Sequence, residues 1–483
     1  MKREHSTRLF QHAIIITVND QRDVYFDGSL VVSGNRISKV GPTNVVMEEL
    51  RREGYFDAGD GTLEVIDCSG KIIFPGFIST HNHLFQTLFK GCGDDMVLAD
   101  WLETMTFPAS AHLTPEDTYY AAMIGLLDGI HSGITTQFDY MYAHPMEGLT
   151  DPVIDAFLEL GIRGVLGRGG MDIGATFGVD PRIMQTTKQV EKDLIRLFDK
   201  YHMKHGEMMR IWTAPAALWS SSDEMLRMLW EMTQHYQTGF SCHISETPFD
   251  RDAVYKTHGM TELDYLESRQ IVRPNVMMVH SVYLTPREIK VAAHHGMSVS
   301  HNTASNMYLS SGVAPIPAML EAGLVVSLGL DGAASNNGQD MLELMKLTAL
   351  LQKVHTLDPT IISAEKVLEM ATIEGARALN MEDLIGSLEA GKLADLVVFN
   401  PLLAAKAIPM HNPVSTLVYS ATENNVEQVV VNGQDVLRDG VIVALENEQK
   451  ILATAQAKAD QLAERAGITN RRQGHVWNHT YRW

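Results

Sequence analysis

Eight short apolar segments alternate with amphipathic, helix-like segments between about residues 74 and 390 of this 483-residue chain. This alternation is typical of repeated strand–helix units, which build parallel sheets. Because eight such units can close into a barrel, we predict an α/β fold whose main part is a (β/α)8 barrel. The predicted barrel strands are residues 72–80, 134–139, 163–168, 211–215, 239–246, 276–281, 297–301 and 325–331.

The two ends of the chain contain short β-branched runs that are separated by turn residues. Residues 28–41 have the pattern of a β-hairpin with Gly34 and Asn35 at its turn, and similar runs return after residue 390. We therefore predict one small β-sandwich domain built from both termini. In the predicted organisation, residues 1–73 and 391–445 form this domain, residues 74–390 form the barrel, and residues 446–483 form a C-terminal helix and tail.

Potential metal ligands follow several of the predicted strands, at the end of a barrel where active sites lie. Side chains two apart on a strand point the same way, so His81 and His83 can reach one cation together. Such a pair alone is equally compatible with surface histidines, but His243 and Asp331 end two other strands. Three imidazoles and a carboxylate suit Zn²⁺ or Fe²⁺ with one position open to water. We predict one divalent metal ion, Zn²⁺ in preference to Fe²⁺.

Three residues at the strand ends are candidates for proton transfer. Asp331 could accept a proton from a water molecule on the metal, and Glu246, three residues after His243, could donate one to a substrate nitrogen. His280 could polarise a developing oxyanion or hold the attacking water. We therefore predict Glu246, His280 and Asp331 as catalytic residues.

The order of these motifs along the chain resembles the amidohydrolase superfamily. The motifs are F-P-G-F-x-x-x-H-x-H from Phe74, H-x-x-E from His243, S-H-N-x-A-S-N from Ser300 and L-G-x-D-G-A-A-S-N-N from Leu328. They are most similar to the mononuclear aminohydrolases, which include S-adenosylhomocysteine/methylthioadenosine, guanine, 8-oxoguanine and cytosine deaminases and the s-triazine hydrolases. The resemblance extends through residues 386–395 and implies the same metal and catalytic roles for the residues named above.

The resemblance also implies substrate contacts and an activity. Gln86 matches a position that hydrogen-bonds a heterocycle, Trp101 lies in the loop that covers the ring, and Arg168 matches a substrate-facing arginine. No lysine ends the fourth predicted strand, so a single metal is expected. The implied enzyme acts on non-peptide C–N bonds and deaminates an amino-substituted nitrogen heterocycle, such as a purine, a pterin or a related ring.

Two alternatives stay open at this point. Relatives that act on adenosine-like substrates often have Pro-His after the fourth strand, whereas this chain has Pro215 followed by Ala216. This difference is closer to triazine hydrolases and oxopurine deaminases, so the alternative activity is a dechlorinating or dealkylaminating s-triazine or guanidine-type hydrolase. A catalytically silent relative is the other alternative, although all four ligands and the acid are present.

Composition limits the partners and the compartment. A formal net charge of −20 disfavours nucleic acid or an anionic membrane surface as the main partner. Three cysteines without zinc-finger spacing, and an N-terminus without a signal-peptide pattern, predict a cytoplasmic protein. The expected partner is a small heterocyclic substrate, and the resemblance implies a homodimer.

Overall fold

The computed structural model of the chain describes residues 7–56 and 63–468. Of the C-terminal helix and tail predicted at residues 446–483, residues 469–483 lie outside the described residues. The strands, numbered in chain order, are β1 Thr7–Ile16, β2 Val24–Ser33, β3 Arg36–Pro42, β4 Leu63–Asp67, β5 Ile72–Pro75, β6 Phe77–Ser79, β7 Ile134–Met141, β8 Arg163–Arg168, β9 Met209–Thr213, β10 Phe240–Ile244, β11 Val276–His280, β12 Ser298–His301, β13 Val325–Leu328, β14 Leu396–Phe399, β15 Val426–Val431, β16 Gln434–Arg438 and β17 Val441–Ile442.

Helices fill most of the connections between the strands. Numbered in chain order, they are α1 Thr43–Arg52, α2 Leu98–Trp101, α3 Phe107–Ser110, α4 Pro115–His131, α5 Thr150–Leu160, α6 Thr187–Tyr201, α7 Asp223–His235, α8 Pro248–His258, α9 Glu262–Ser268, α10 Pro286–His294, α11 Thr303–Tyr308, α12 Ile316–Glu321, α13 Met341–Thr356, α14 Ala364–Ala371, α15 Ile373–Ala378, α16 Pro413–Tyr419 and α17 Glu448–Ala466. Of the helices in residues 7–56 and 63–468, none combines the length and the apolar character needed to span a membrane.

Strands β6 to β13 form one parallel sheet in which each strand pairs with the next along the chain. The first and last strands meet where the amide of Thr80 donates to the carbonyl of Leu328 at 2.9 Å. The buried Thr80 hydroxyl also lies 2.8 Å from the hydroxyls of both Ser300 and Ser327, which ties β6, β12 and β13 together. The predicted (β/α)8 barrel is therefore confirmed.

The first predicted barrel strand, residues 72–80, is in fact divided between two sheets. Strand β5 pairs with β1 and β14, whereas β6 pairs with β7 in the barrel. Gly76 lies at the division, and a Cβ atom on it would lie 2.1 Å from the side chain of Thr135. Only glycine lets the backbone pass this close to a neighbouring strand, so the chain crosses from one sheet to the other at Gly76.

The second sheet contains nine strands from both ends of the chain, in the order β17-β16-β15-β14-β5-β1-β2-β3, with β4 paired to β1. The predicted hairpin at residues 28–41 is present, with Ser33 opposite Arg36 and Gly34 at φ +63°. A second hairpin turns at Asn432 and Gly433, which both have positive φ. The predicted α/β class, a barrel with a smaller β unit drawn from both termini, is confirmed.

A buried ion pair joins the barrel to this mixed sheet. Arg163, on β8, places Nε 3.0 Å and Nη2 3.2 Å from the two carboxylate oxygens of Asp395, just before β14. The two side chains are only 1% and 2% exposed. The carboxylate also accepts from the amide of Asn432 at 2.7 Å. Asp395 therefore compensates a buried guanidinium and a backbone amide at the junction of the two sheets.

We expect Asp395→Ala to lower the free energy of unfolding by about 3–5 kcal/mol, because it leaves the Arg163 charge buried and unpaired. The midpoint of urea denaturation measures this loss. Glu147→Ala is the matched control, since Glu147 pairs with Lys192 at 3.8 Å on the surface and such pairs contribute little. Equal midpoints for the two variants would contradict the assignment.

Candidate metal centre and active site

Four side chains from three parts of the barrel converge at the C-terminal ends of the strands. The Nε2 atoms of His83 and His243 lie 3.2 Å apart. Oδ1 of Asp331 lies 3.5 Å from Nε2 of both His81 and His83. The three histidines each offer a ring nitrogen within 4.8 Å of the others, and His81, His280 and Asp331 form an overlapping group of the same kind. The structure therefore brings together all four predicted ligands.

The chemistry of these side chains fits a divalent metal ion. Both ring nitrogens of His81 and Nδ1 of His243 are buried and have no hydrogen-bond partner among the described residues. Nδ1–H of His83 donates to the carbonyl of Tyr140 at 2.7 Å, which turns its Nε2 lone pair towards the cluster. Burial lowers the pKa of His83 to about 3 and that of His243 well below its ordinary value. Neutral imidazoles beside a carboxylate could hold a divalent metal ion.

Asp331 is held in a defined orientation by its backbone. Its φ angle is +62°, in the left-handed region, and the amide of Gly332 donates to Oδ1 at 2.7 Å. Oδ2 lies 3.8 Å from Nε2 of His280. Burial alone would raise the pKa of Asp331, but His81, His280 and His83 hold it well below its ordinary value. The carboxylate is therefore ionised and faces both the histidine cluster and His280.

Glu246 and His280 form a proton-transfer pair beside the cluster. Oε2 of Glu246 lies 3.4 Å from Nε2 of His280. Burial raises the pKa of Glu246 to about 7, so its carboxyl can carry a proton near neutral pH. Burial opposes protonation of His280, yet the carboxylates of Glu246 and Asp331 raise its pKa above the ordinary value. This arrangement can move protons to and from a bound molecule.

Two further residues orient this pair, and neither was predicted from the sequence to have a role. Nδ1–H of His280 donates to Oδ1 of Asn306 at 3.0 Å, and the hydroxyl of Ser311 donates to Oε1 of Glu246 at 3.1 Å. Asn306 is the last residue of the S-H-N-x-A-S-N motif, so a signal for it was available. Ser311 has no such signal, because it lies in an irregular segment after α11.

A cavity with about 570 Å³ of empty space, partly open to solvent, lies over the cluster. Gln86 and Trp101, for which the resemblance implies substrate contacts, both line it, and their role stays a prediction. Oε1 of Gln86 is buried without a hydrogen-bond partner among the described residues, whereas Nε1–H of Trp101 donates to the carbonyl of Ala334 at 3.1 Å. The other lining residues are His83, Leu98, Leu102, Phe107, Tyr142, Met171, Ala216, Ala217, Trp219, Ser220, His243, Glu246, Asp250, His280, Leu309, Asp331 and Ser335.

Arg168 is placed elsewhere, which corrects its expected role as a substrate-facing residue. Its guanidinium is buried, with Nε 2.8 Å from Oδ2 of Asp193 and Nη2 2.9 Å from Oε1 of Gln185. It borders a different cavity, next to His144 and Arg196. Because Asp193 and Gln185 already satisfy the guanidinium, Arg168 supports α6 against the barrel.

Comparison with known proteins identifies the family to which the chain belongs. The family model described as "Amidohydrolase family" matches residues 72–436. A 5'-deoxyadenosine deaminase from Methanothermobacter thermautotrophicus is 36% identical over 435 residues, which cover 90% of this chain and 95% of that protein. A 5-methylthioadenosine/S-adenosylhomocysteine deaminase from Syntrophomonas wolfei is 33% identical over 455 residues, covering 94% of this chain and 99% of that protein.

Among solved structures, atrazine chlorohydrolase from Arthrobacter aurescens TC1, complexed with zinc, superposes with a TM-score of 0.84 at 27% identity. The match covers 94% of this chain and 100% of that one. The predicted enzyme class, a hydrolase acting on the C–N bonds of amino-substituted heterocycles, is confirmed by the two deaminase relatives and the family model. With the family model spanning the whole barrel, the chain is a member of the amidohydrolase family.

Proposed function

We propose that this enzyme deaminates the adenine ring of a neutral nucleoside, using one metal ion, Zn²⁺ in preference to Fe²⁺, held by His81, His83, His243 and Asp331. One observation carries the proposal: a protonatable Glu246, His280 and an ionised Asp331 face one cavity directly beside the histidine cluster. The two relatives that share 36% and 33% identity are named as deaminases of adenine nucleosides, which supports the choice of ring.

Asp331, Glu246 and His280 each have a separate role in the proposed reaction. A divalent metal held by His81, His83, His243 and Asp331 would lower the pKa of a bound water molecule from 15.7 to about 7. Asp331 accepts a proton from the attacking water, and Glu246 donates a proton to the ring nitrogen next to the carbon under attack. His280 hydrogen-bonds the oxygen that adds to this carbon. Asp331 then returns a proton to the amino group, the C–N bond breaks, and ammonia leaves, while the proton of the added hydroxyl passes to Glu246 and leaves a ring carbonyl. One water is consumed for each ammonia released.

The charge of the cavity favours a neutral substrate over a phosphorylated one. Three carboxyl groups line it, those of Glu246, Asp250 and Asp331. Within the part of the chain that the structure describes, the lining contains neither lysine nor arginine. A phosphate group would therefore meet carboxyl groups with neither a lysine nor an arginine to pair with. This arrangement supports a nucleoside substrate in preference to a nucleotide.

The test is a substrate panel followed by ammonia release, with adenosine, 5'-deoxyadenosine, 5'-methylthioadenosine, AMP, guanine and atrazine. We expect kcat/KM for the best nucleoside to exceed that for AMP by roughly 100-fold or more, about 2.7 kcal/mol. Deamination of AMP at a comparable kcat/KM, or no ammonia from any nucleoside, would contradict the proposal.

A second candidate, an s-triazine hydrolase, is favoured by Ala216 and Ala217, which line the cavity where histidine was expected for an adenosine-like substrate. Chloride release from atrazine, without ammonia from any nucleoside, would establish this alternative instead.

We also propose a cytoplasmic homodimer. The cytoplasmic location is supported by the three cysteines, Cys68, Cys92 and Cys242, which are all free. The homodimer rests on the resemblance noted in the sequence.

A further inference from the structure

Gln339 occupies a fully buried position behind the metal cluster, outside the catalytic cavity. It precedes Asp340, which caps the N-terminus of α13. Its side chain is 0% exposed, and its amide group both accepts and donates hydrogen bonds. Oε1 accepts from Nδ2 of Asn82 and, at 3.1 Å, from Nε2 of Gln137, while Nε2 donates to the carbonyl of Asp331 at 3.0 Å.

These contacts connect the pair His81 and His83 to Asp331. Asn82 lies between His81 and His83 in the sequence, so the position of its side chain is coupled to that of the histidine pair. The Asp331 carbonyl belongs to the carboxylate ligand, whose backbone is held at φ +62°. The amide of Asp331 also donates to the carbonyl of His81 at 3.0 Å. Asp331 is therefore held on one side by His81 and on the other by Gln339.

We propose that Gln339 is a positioning residue that sets the spacing between the histidine pair and Asp331, and thereby the retention of the metal. A left-handed backbone at a residue other than glycine persists only when its surroundings enforce it. Loss of the Gln339 amide leaves the side chains of Asn82 and Gln137 and the Asp331 carbonyl without partners in a dry interior. Each such group destabilises this arrangement when it is left unsatisfied. We expect the 331–340 segment to relax and the carboxylate to move away from the histidines.

The test compares Gln339→Met with Gln352→Met in zinc-loaded full-length protein. Gln352, on α13, is equally buried, but its amide donates to the carbonyl of Ala314 at 3.2 Å and not to a residue of the proposed ligand set. Release of zinc to a chromogenic chelator is followed in time. We expect release to be roughly 10- to 100-fold faster in Gln339→Met, as for other residues that orient metal ligands, and unchanged in Gln352→Met. Equal release rates for the two variants overturn the proposal.

Gln339→Asn is the second variant for the zinc-release test, for use if Gln339→Met does not fold. It keeps an amide but shortens the side chain by one methylene, so the amide cannot reach Asn82 and Asp331 together. We expect faster zinc release here too, and release at the wild-type rate overturns the proposal. The inference rests on the proposed metal site, and the two failures are distinguishable: a wild type that retains no zinc refutes the site, whereas equal retention by wild type and variants refutes the role of Gln339 alone.

Discussion

Glu246→Gln is expected to lower kcat by roughly 10²- to 10⁴-fold while the protein keeps its metal content. The glutamine has nearly the same shape and can still accept from Ser311, which bonds Oε1 of Glu246 at 3.1 Å. It has no acidic proton, however, so it cannot protonate the ring nitrogen. The experiment measures kcat on the best substrate of the panel, together with the metal content of the purified variant.

Glu288→Gln is the matched control for this variant. Glu288 is also buried, at 3% exposure, and accepts from the amide of Thr285 at 2.7 Å at the start of α10. It does not line the catalytic cavity, so kcat should stay near that of the wild type. If Glu246→Gln kept its kcat within tenfold of the wild type with metal bound, the proposed acid would have to be another group.

Removal of the metal is expected to have the largest effect, at least roughly a 10⁴-fold loss of activity, because water in the site then keeps its bulk pKa. Dialysis against a chelator should abolish turnover, and added zinc should restore it in the wild type. In His243→Ala, zinc should not restore turnover, since one of three imidazole ligands is missing. Turnover and metal content are measured on the same samples.

His144→Ala separates loss of a ligand from loss of any buried histidine near the barrel mouth. His144 is 4% exposed, and its Nε2 lies 3.2 Å from the carbonyl of Met141. It follows β7 but lies outside the histidine cluster, so this variant should keep both zinc and activity. Full activity after exhaustive chelation of the wild type would show that the reaction does not depend on a metal.

Much of the barrel and its cluster could be predicted because strand periodicity places His81 and His83, His243, and Asp331 at the ends of three separate strands. The closure of a parallel barrel then brings those ends together, whatever the helices between them contain. The ligand set therefore follows from local strand patterns and from the closure of the barrel, and both can be inferred from a single sequence.

The expected role of Arg168 failed because the end of a strand does not determine which way a long side chain turns. Asp193 and Gln185 accept hydrogen bonds from its guanidinium, and neither belongs to a sequence motif that would have predicted the contact. The division of the first strand at Gly76 was missed for a similar reason, since residues 72–80 form one apolar run whichever sheet each half joins. Both outcomes depend on contacts between segments that are distant in the sequence, which local patterns do not predict.

The most direct test of the four-ligand site is anomalous diffraction at the zinc absorption edge from crystals of the zinc-loaded enzyme. We expect one strong peak at the mouth of the barrel, about 2.0–2.2 Å from ligand atoms of His81, His83, His243 and Asp331. A zinc peak bound elsewhere, or a cluster without a peak in protein that carries stoichiometric zinc, would contradict the site on which the proposed reaction depends.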